Sequence, residues 1–89
     1  MAQTDREALV ALYNSTDGVK WKNNTGWDTD FDLSDWYGVT ANNEGRVVKL
    51  SLYSNNLRGP IPPELGNLAA LQYLHLQDNK LSGELWSAT

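Results

Sequence analysis

The sequence contains no cysteine and a single histidine, His75, among its 89 residues. Without cysteine the chain can form no disulfide, no thiolate zinc site and no cysteine nucleophile. A single imidazole also excludes a metal site that needs two or three histidines. We therefore expect no bound metal and no cofactor. No set of residues has the spacing of a catalytic site, so the sequence predicts a protein that is not an enzyme.

Basic residues are few, with seven Lys and Arg against eleven Asp and Glu and a net charge of −4. Nucleic-acid binders gain affinity by neutralising phosphates, so this charge argues against a nucleic-acid partner. No apolar run approaches the roughly 18 residues of a membrane span, and we expect no membrane insertion. The N-terminal residues lack the basic and apolar segments of a secretion signal. Together with the missing cysteines, this predicts a cytoplasmic location, and an extracellular one stays open if a leader precedes the sequence.

Leucine is abundant, and in the second half of the chain it recurs at a fixed interval of 24 residues. The interval also repeats an asparagine and a glycine, and it relates Leu50 to Leu74, Leu52 to Leu76, Asn55 to Asn79, Leu57 to Leu81 and Gly59 to Gly83. The Leu-x-Leu alternation predicts a short strand that buries its leucines on one face. The asparagine that follows can bond backbone groups where the chain turns. Such coils bury their apolar edges only by stacking, so their strands should pair in parallel.

Residues 50–67 read LSLYSNNLRGPIPPELGN, which resembles the plant-type leucine-rich repeat L-x-L-x-x-N-x-L-x-G-x-I-P-x-x-L-G-N. The resemblance implies an α/β fold class, namely a leucine-rich repeat solenoid fragment with short parallel strands and an N-terminal cap. It divides the chain into a cap at residues 1–45, a first repeat at 46–67 and a second, truncated or partial repeat at 68–89.

In that family, the strand positions between the leucines line a concave face that binds ligands. The resemblance therefore implies a protein or peptide ligand, held without catalysis, and a place in the N-terminal part of a larger signalling or immune-type receptor. Carried over position by position, the expected ligand contacts are Lys49, Ser51, Tyr53, Tyr73, His75, Gln77 and Asp78, with Ser54 beside them.

The first half of the chain has the features of a cap. Residues 4–7 form a capping box that precedes apolar residues at helical spacing, which predicts a helix at about residues 5–14. Residues 38–48 predict a hairpin that leads into the first repeat. Residues 34–41, SDWYGVTA, resemble the cap motif C-x-W-x-G-V-x-C of plant-type receptors, with Ser34 and Ala41 at the two cysteine positions. The cysteine-free form resembles the caps of leucine-rich repeat proteins in microbes and algae.

Between the helix and the hairpin, aromatic residues follow one another without a clean period. They are Trp21, Trp27, Phe31 and Trp36. We expect them to cover the apolar end of the first coil, because a terminal repeat must be shielded from water. The alternative is an aromatic platform that binds carbohydrate.

No cap motif follows the second repeat, although repeat arrays usually need a cap at each end. We therefore expect an apolar edge there, formed by Leu71, Leu74, Leu76, Leu81, Leu85 and Trp86. A homodimer that joins two such edges would bury them, as would further repeats. A self-associating structural module is thus the alternative to a ligand-binding one.

Overall fold

The computed structural model describes residues 4–82, with side chains from Asp5 onward. Within these residues the regular elements are one α-helix, α1 (Thr4–Ser15), and five strands, β1 (Val39–Ala41), β2 (Val47–Ser51), β3 (Arg58–Pro60), β4 (Tyr73–His75) and β5 (Lys80–Ser82). Short 3-10 helices lie at Gly18–Lys20, Leu33–Asp35 and Pro63–Asn67. The helix extends one residue beyond the expected range at each end.

The first sheet has the strand order β1-β2-β4. Strands β2 and β4 are parallel, and Leu50 is the register partner of Leu74. The 24-residue interval of the sequence is therefore the register of this sheet, and the prediction of stacked coils with parallel strands is confirmed. Strand β1 pairs antiparallel with β2 and has a register shift after Thr40, so the hairpin contains a β-bulge.

A second sheet, on another side of the coils, joins β3 and β5 in parallel. Here Gly59 is the partner of Leu81, an interval of 22 residues that is two shorter than the sequence repeat. A shift of two leaves each side chain on its own face, because strand side chains alternate. Gly59 has a φ of 108°, and a Cβ atom there would lie 2.7 Å from the carbonyl oxygen of Ser15. The close approach of this strand to the end of α1 therefore requires glycine.

The core joins the helix, the cap and the first coil. Its fully or almost fully buried apolar side chains are Ala8, Leu9, Leu12, Trp21, Trp27, Trp36, Val39, Val47, Leu50, Leu52, Leu57, Leu65 and Leu68. The helix also packs against the 3-10 helix Pro63–Asn67. The cap and the first coil thus share one hydrophobic core.

The three cap tryptophans pack against one another. The ring centroids of Trp21 and Trp27 are 4.7 Å apart, and those of Trp27 and Trp36 are 5.0 Å apart. Each indole N–H donates to a backbone carbonyl: Trp21 to Thr16, Trp27 to Tyr37 and Trp36 to Phe31. The apolar rings are therefore buried inside the cap, and each indole N–H has a hydrogen-bond acceptor there.

Phe31 differs from the tryptophans, because its side chain is 56% exposed. The expectation that it helps to cover the first coil is wrong. The guanidinium of Arg6 lies 5.4 Å from the ring centroid of Trp36 and donates to the carbonyl oxygens of Thr29 and Phe31. A cation and the Phe31 backbone thus occupy the surface of Trp36.

A buried carboxylate ties the start of α1 to the start of β2. Asp5 is 1% exposed and accepts hydrogen bonds from Arg46 Nε (3.0 Å), Arg46 Nη2 (2.9 Å) and the Val47 N–H (2.8 Å). Burial raises the pKa of Asp5, but the hydrogen bonds from Arg46 and Val47 and the charge of Arg46 outweigh it. The pKa therefore lies below its ordinary value of 3.8. The position of Asp5 in the predicted capping box gave no sign of this role.

None of the helices in residues 4–82 is both long enough and apolar enough to cross a membrane.

Candidate ligand-binding face

The outer side of the first sheet carries the side chains predicted to contact a ligand, and we call it the strand face. Lys49 is the register partner of Tyr73, and Ser51 is the partner of His75. Leu50 and Leu52 alternate with these positions along the chain. They have no exposed surface and lie on the opposite side of the sheet. Because side chains alternate along a strand, the polar residues of both strands share one face.

The parallel ladder continues beyond the ends of the two strands. The Leu52 N–H donates to the His75 carbonyl at 2.9 Å, and the Ser54 N–H donates to the Gln77 carbonyl at 3.0 Å. The hydroxyl of Ser54 donates to the Asp78 carboxylate at 3.3 Å. The structure therefore brings all of the predicted contact residues into two adjacent rows, which are Lys49, Ser51, Tyr53 and Ser54 in one and Tyr73, His75, Gln77 and Asp78 in the other. Their role in binding stays a prediction.

Two tyrosines dominate the exposed area of the strand face. Tyr53 is 53% exposed and Tyr73 is 57% exposed, although both are large side chains with an apolar ring. Lys49 is also exposed, whereas Ser51 and His75 are half-buried between their neighbours. The face thus combines aromatic surface with a cationic group at one end, where the strands begin.

Asparagine side chains hold the turns beneath the strand face, as the sequence analysis predicted. The side-chain oxygen of Asn79 accepts from the N–H groups of Asn55 (3.0 Å) and Leu57 (2.9 Å), and its amide donates to the Leu52 carbonyl (2.9 Å). Asn55 bonds both backbone groups of Asn23 in the cap, at 2.8 and 2.9 Å. Each asparagine therefore satisfies backbone groups of the segment before its own coil, which is the cap for Asn55 and the first coil for Asn79.

One further residue, which was not among those predicted, lies on this face. Thr40 in β1 is the register partner of Lys49, and its side chain is exposed. Directly opposed residues of an antiparallel pair point to the same side, so the strand face extends onto the cap. The alternation of polar and apolar residues in the predicted hairpin was the available signal.

The apolar edge predicted for the second coil is partly covered. Leu71, Leu74, Leu76 and Leu81 are half-buried and pack against the core. Leu85 and Trp86 lie outside the described residues. Among residues 4–82, β4 pairs with β2 and has no strand partner along its other edge.

The carbohydrate alternative does not agree with the position of the tryptophans. Trp21, Trp27 and Trp36 are 5%, 4% and 1% exposed. A sugar stacks on an open ring face, and these faces pack inside the cap instead. The prediction of a sugar platform built from these three rings is therefore wrong.

The sequence positions that correspond to the two cap cysteines lie beside a cavity of about 390 Å³. Ser34 and Ala41 both line it, together with Arg6 and Asp32. In the part of the chain that the structure describes, no three His, Asp or Glu side chains are grouped so that they could hold a metal ion. Asp28, Asp30 and Asp32 of the cap are exposed to solvent.

These observations define the class of the protein: a solenoid of stacked coils with a tryptophan-rich cap at one end. Residues 46–68 and 70–88 match the sequence model of the leucine-rich repeat family. A crystal structure of a leucine-rich repeat protein from Bacteroides eggerthii superimposes with a TM-score of 0.74 at 29% identity, over 83% of this chain and 13% of that one.

Plant proteins are among the relatives in sequence. A probable leucine-rich repeat receptor-like protein kinase of Arabidopsis thaliana is 41% identical over 85% of this chain. The leucine-rich repeat receptor-like serine/threonine-protein kinase FEI 2 of the same plant is 42% identical over 86% of this chain. Residues 46–68 and 70–88 are therefore leucine-rich repeats of the plant type, and the resemblance seen in residues 50–67 is confirmed.

The chain spans only 8% and 13% of the lengths of these two kinases. Leucine-rich repeats are interaction modules, and it is this part of the relatives that the chain matches. Since the matched proteins are named as receptor-like, the comparisons give no support to the expected cytoplasmic location.

Proposed function

We propose that the chain is a non-enzymatic recognition module that binds a protein or peptide ligand on the strand face. The observation that carries the proposal is the exposure of Tyr53 and Tyr73 on adjacent coils whose backbones are held by asparagine side chains. Tyrosine contributes a large contact area and a hydroxyl group at a low cost in conformational entropy. A pair of exposed tyrosines on a rigid sheet is therefore well suited to recognition.

The size of the strand face limits the affinity. Three strands about 4.8 Å apart give a face only about 10–15 Å wide. A stable protein interface buries roughly 800 Å² on each partner. We therefore expect a short peptide or a protein loop as the ligand of these coils alone, with an affinity in the micromolar range or weaker.

The kinase relatives suggest the larger context. We propose that the chain acts in the ligand-recognition part of a receptor-type protein, with Lys49, Ser51, Tyr53, Tyr73, His75, Gln77 and Asp78 as contacts. The same proposal implies that this region lies outside the cell. A membrane-impermeant biotinylation reagent added to intact cells would then label it, whereas a cytoplasmic protein would stay unlabelled.

A peptide library displayed on phage tests the binding proposal, because it samples many candidate ligands at once. Peptides selected on the unmodified chain should lose about tenfold or more in affinity on a Tyr53→Ala/Tyr73→Ala variant, since each ring contributes about 1 kcal/mol or more when it is a principal contact. Phe31→Ala is the control for loss of an exposed aromatic ring, because Phe31 is 56% exposed but belongs to the cap and is not one of the strand-face residues. Peptides that bind the tyrosine variant unchanged would refute the proposal.

Self-association is a second candidate, favoured by the half-buried leucines of the second coil. In a two-fold dimer, the edges of two β4 strands would pair antiparallel and cover Leu74 and Leu76 of both copies. Sedimentation equilibrium should then give twice the 9.9 kDa chain mass at high concentration. A monomer over the whole concentration range would exclude this dimer.

A further inference from the structure

A second cavity opens where the strand face ends, beyond the C-terminal ends of β2 and β4. Its volume is about 290 Å³. The lining residues come from the cap loop and from both coils, and they are Lys22, Ser54, Asn56, Asp78, Asn79 and Lys80. Ser54 and Asp78 also end the two rows of the strand face, so the cavity continues that face.

The walls of the cavity are held by hydrogen bonds between the three segments. The Lys22 N–H donates to the Asn55 carbonyl at 3.0 Å, and the Asn56 amide donates to the Lys20 carbonyl at 3.0 Å. The Lys80 N–H donates to the Leu57 carbonyl at 2.8 Å. The cavity is therefore formed before any ligand arrives, which lowers the entropic cost of binding.

The polar groups of the lining differ in what they can offer a ligand. The amide group of Asn79 is engaged with backbone atoms of both coils. Ser54 and Asp78 bond each other but keep further acceptor positions, since a carboxylate accepts several hydrogen bonds. Lys22 and Lys80 are exposed and make no salt bridge with the residues that the structure describes. The lining thus includes two lysines and one aspartate.

Basic residues cluster around the cavity, although Asp78 lies in its lining, Asp17 lies nearby and the whole chain carries a net charge of −4. Lys80 is the register partner of Arg58, so two like charges lie side by side on neighbouring strands. With Lys20 and Lys22 nearby, this corner holds four of the seven basic residues of the chain. Like charges placed side by side in a sheet are unfavourable, and a bound anion would offset that repulsion.

We propose that this cavity binds the carboxylate of an acidic side chain, Glu or Asp, of a peptide that lies along the strand face. The carboxylate accepts hydrogen bonds from Lys22 and Lys80, and a backbone N–H of the same peptide donates to Asp78. The inference rests on the proposed function, because the peptide reaches the cavity from the strand face past Tyr53 and Gln77. It adds a requirement for an acidic residue at one end of the ligand.

An NMR titration of the ¹⁵N-labelled chain tests the proposal. The probe is a terminally blocked tetraglutamate peptide, and tetraglutamine is its neutral match. Tetraglutamate should shift the amide signals of Ser54, Asn56 and Asp78 through Lys80, and added salt should weaken the effect because exposed ion pairs are screened. Equal shifts with tetraglutamine, or shifts centred elsewhere, would overturn the proposal.

Two double variants distinguish binding in the cavity from attraction by the overall positive charge around it. Lys22→Gln/Lys80→Gln should weaken tetraglutamate binding about fivefold or more, as expected for the loss of two charge-assisted hydrogen bonds. Lys20→Gln/Arg58→Gln removes the same charge from residues outside the lining and should change affinity by less than about twofold. An equal loss in both variants would mean that a diffuse field attracts the peptide and that the cavity is not a site.

Two further measurements complete the test. Inorganic phosphate should shift the same signals only weakly, and displacement of tetraglutamate by equimolar phosphate would overturn the assignment to a peptide carboxylate. Library-selected peptides distinguish this proposal from the wider one. If their binding depends on Tyr53 and Tyr73 but shows neither an acidic preference nor sensitivity to Lys22→Gln/Lys80→Gln, the strand face remains the binding surface and the cavity proposal fails alone.

Discussion

The two coils carry the same leucines at the same interval but bury them to different extents. Leu50, Leu52 and Leu57 of the first coil have no exposed surface, whereas the equivalent leucines of the second coil are only half-buried. The sequence pattern is the same, and the neighbours differ. The first coil lies between the cap and the second coil, while among the described residues the second coil has a coil on one side only.

This difference shows that the burial of a repeat leucine depends on the segments stacked beside its coil and not on the repeat sequence alone. A leucine at a repeat position contributes its full hydrophobic stabilisation only when coils flank it on both sides. The same holds for polar groups, because Asn55 satisfies backbone groups of the cap and Asn79 satisfies backbone groups of the first coil. Stability should therefore decrease from the cap towards the second coil.

Equivalent leucines provide the strongest test of this gradient. Leu52→Ala should lower the free energy of unfolding by about 3–4 kcal/mol, since it opens a cavity in a fully buried site. Leu76→Ala, at the half-buried equivalent position, should cost about 1–2 kcal/mol. Urea unfolding followed by tryptophan fluorescence measures both values.

Should Leu52→Ala fail to fold, the Leu52→Val and Leu76→Val pair provides the same comparison with smaller losses. Equal costs at the two positions would contradict a gradient of burial between the coils.

The asparagines provide a polar version of the same comparison. Asn79→Ala should cost about 2–3 kcal/mol, because it leaves the N–H groups of Asn55 and Leu57 without their acceptor. Asn55→Ala removes bonds to the backbone of one cap residue, Asn23, and should cost about 1–2 kcal/mol. Hydrogen exchange at the affected amides would show which backbone groups lose protection. A larger loss for Asn55→Ala would mean that the cap is the more tightly coupled neighbour.

The cap is held differently, by the buried carboxylate of Asp5. Asp5→Asn should cost about 2 kcal/mol near neutral pH, because the Val47 N–H and the Arg46 guanidinium lose a charged acceptor. The pKa of Asp5 in the folded chain lies below 3.8. Its stabilisation is therefore complete above the unfolded value and decreases as the pH falls through the folded pKa.

Unfolding midpoints of the unmodified chain and of Asp5→Asn should accordingly converge below about pH 4. Asp35→Asn serves as the control, since Asp35 is exposed. A constant difference between Asp5→Asn and the unmodified chain at all pH values would show that packing, and not charge, accounts for the effect.

Local patterns predicted much of this architecture. The interval between Leu50 and Leu74 predicted the register of the first sheet, because identical coils must stack in phase. The hairpin and the helix followed from turn residues and helical spacing. These features depend on residues close together in sequence or related by the repeat.

Contacts between unlike segments were not predictable in this way. The bonds of Asp5 to Arg46 and the position of Arg6 over Trp36 join residues far apart in sequence, with no repeat to relate them. Similarly, the cavity beside Lys22 and Lys80 forms only when the cap loop meets both coils.

The reversed direction of β1 gives the molecule a built-in polarity. Because β1 runs against β2 while β4 runs with it, the two borders of the sheet are chemically unlike. A new coil with its strand beside β4 would repeat the parallel pairing of β2 with β4, whereas a strand of the same direction beside β1 would pair antiparallel and would not continue the repeat. To lengthen this scaffold by design, further repeats should therefore be added on the β4 side, and the hairpin of β1 and β2 should be left unchanged.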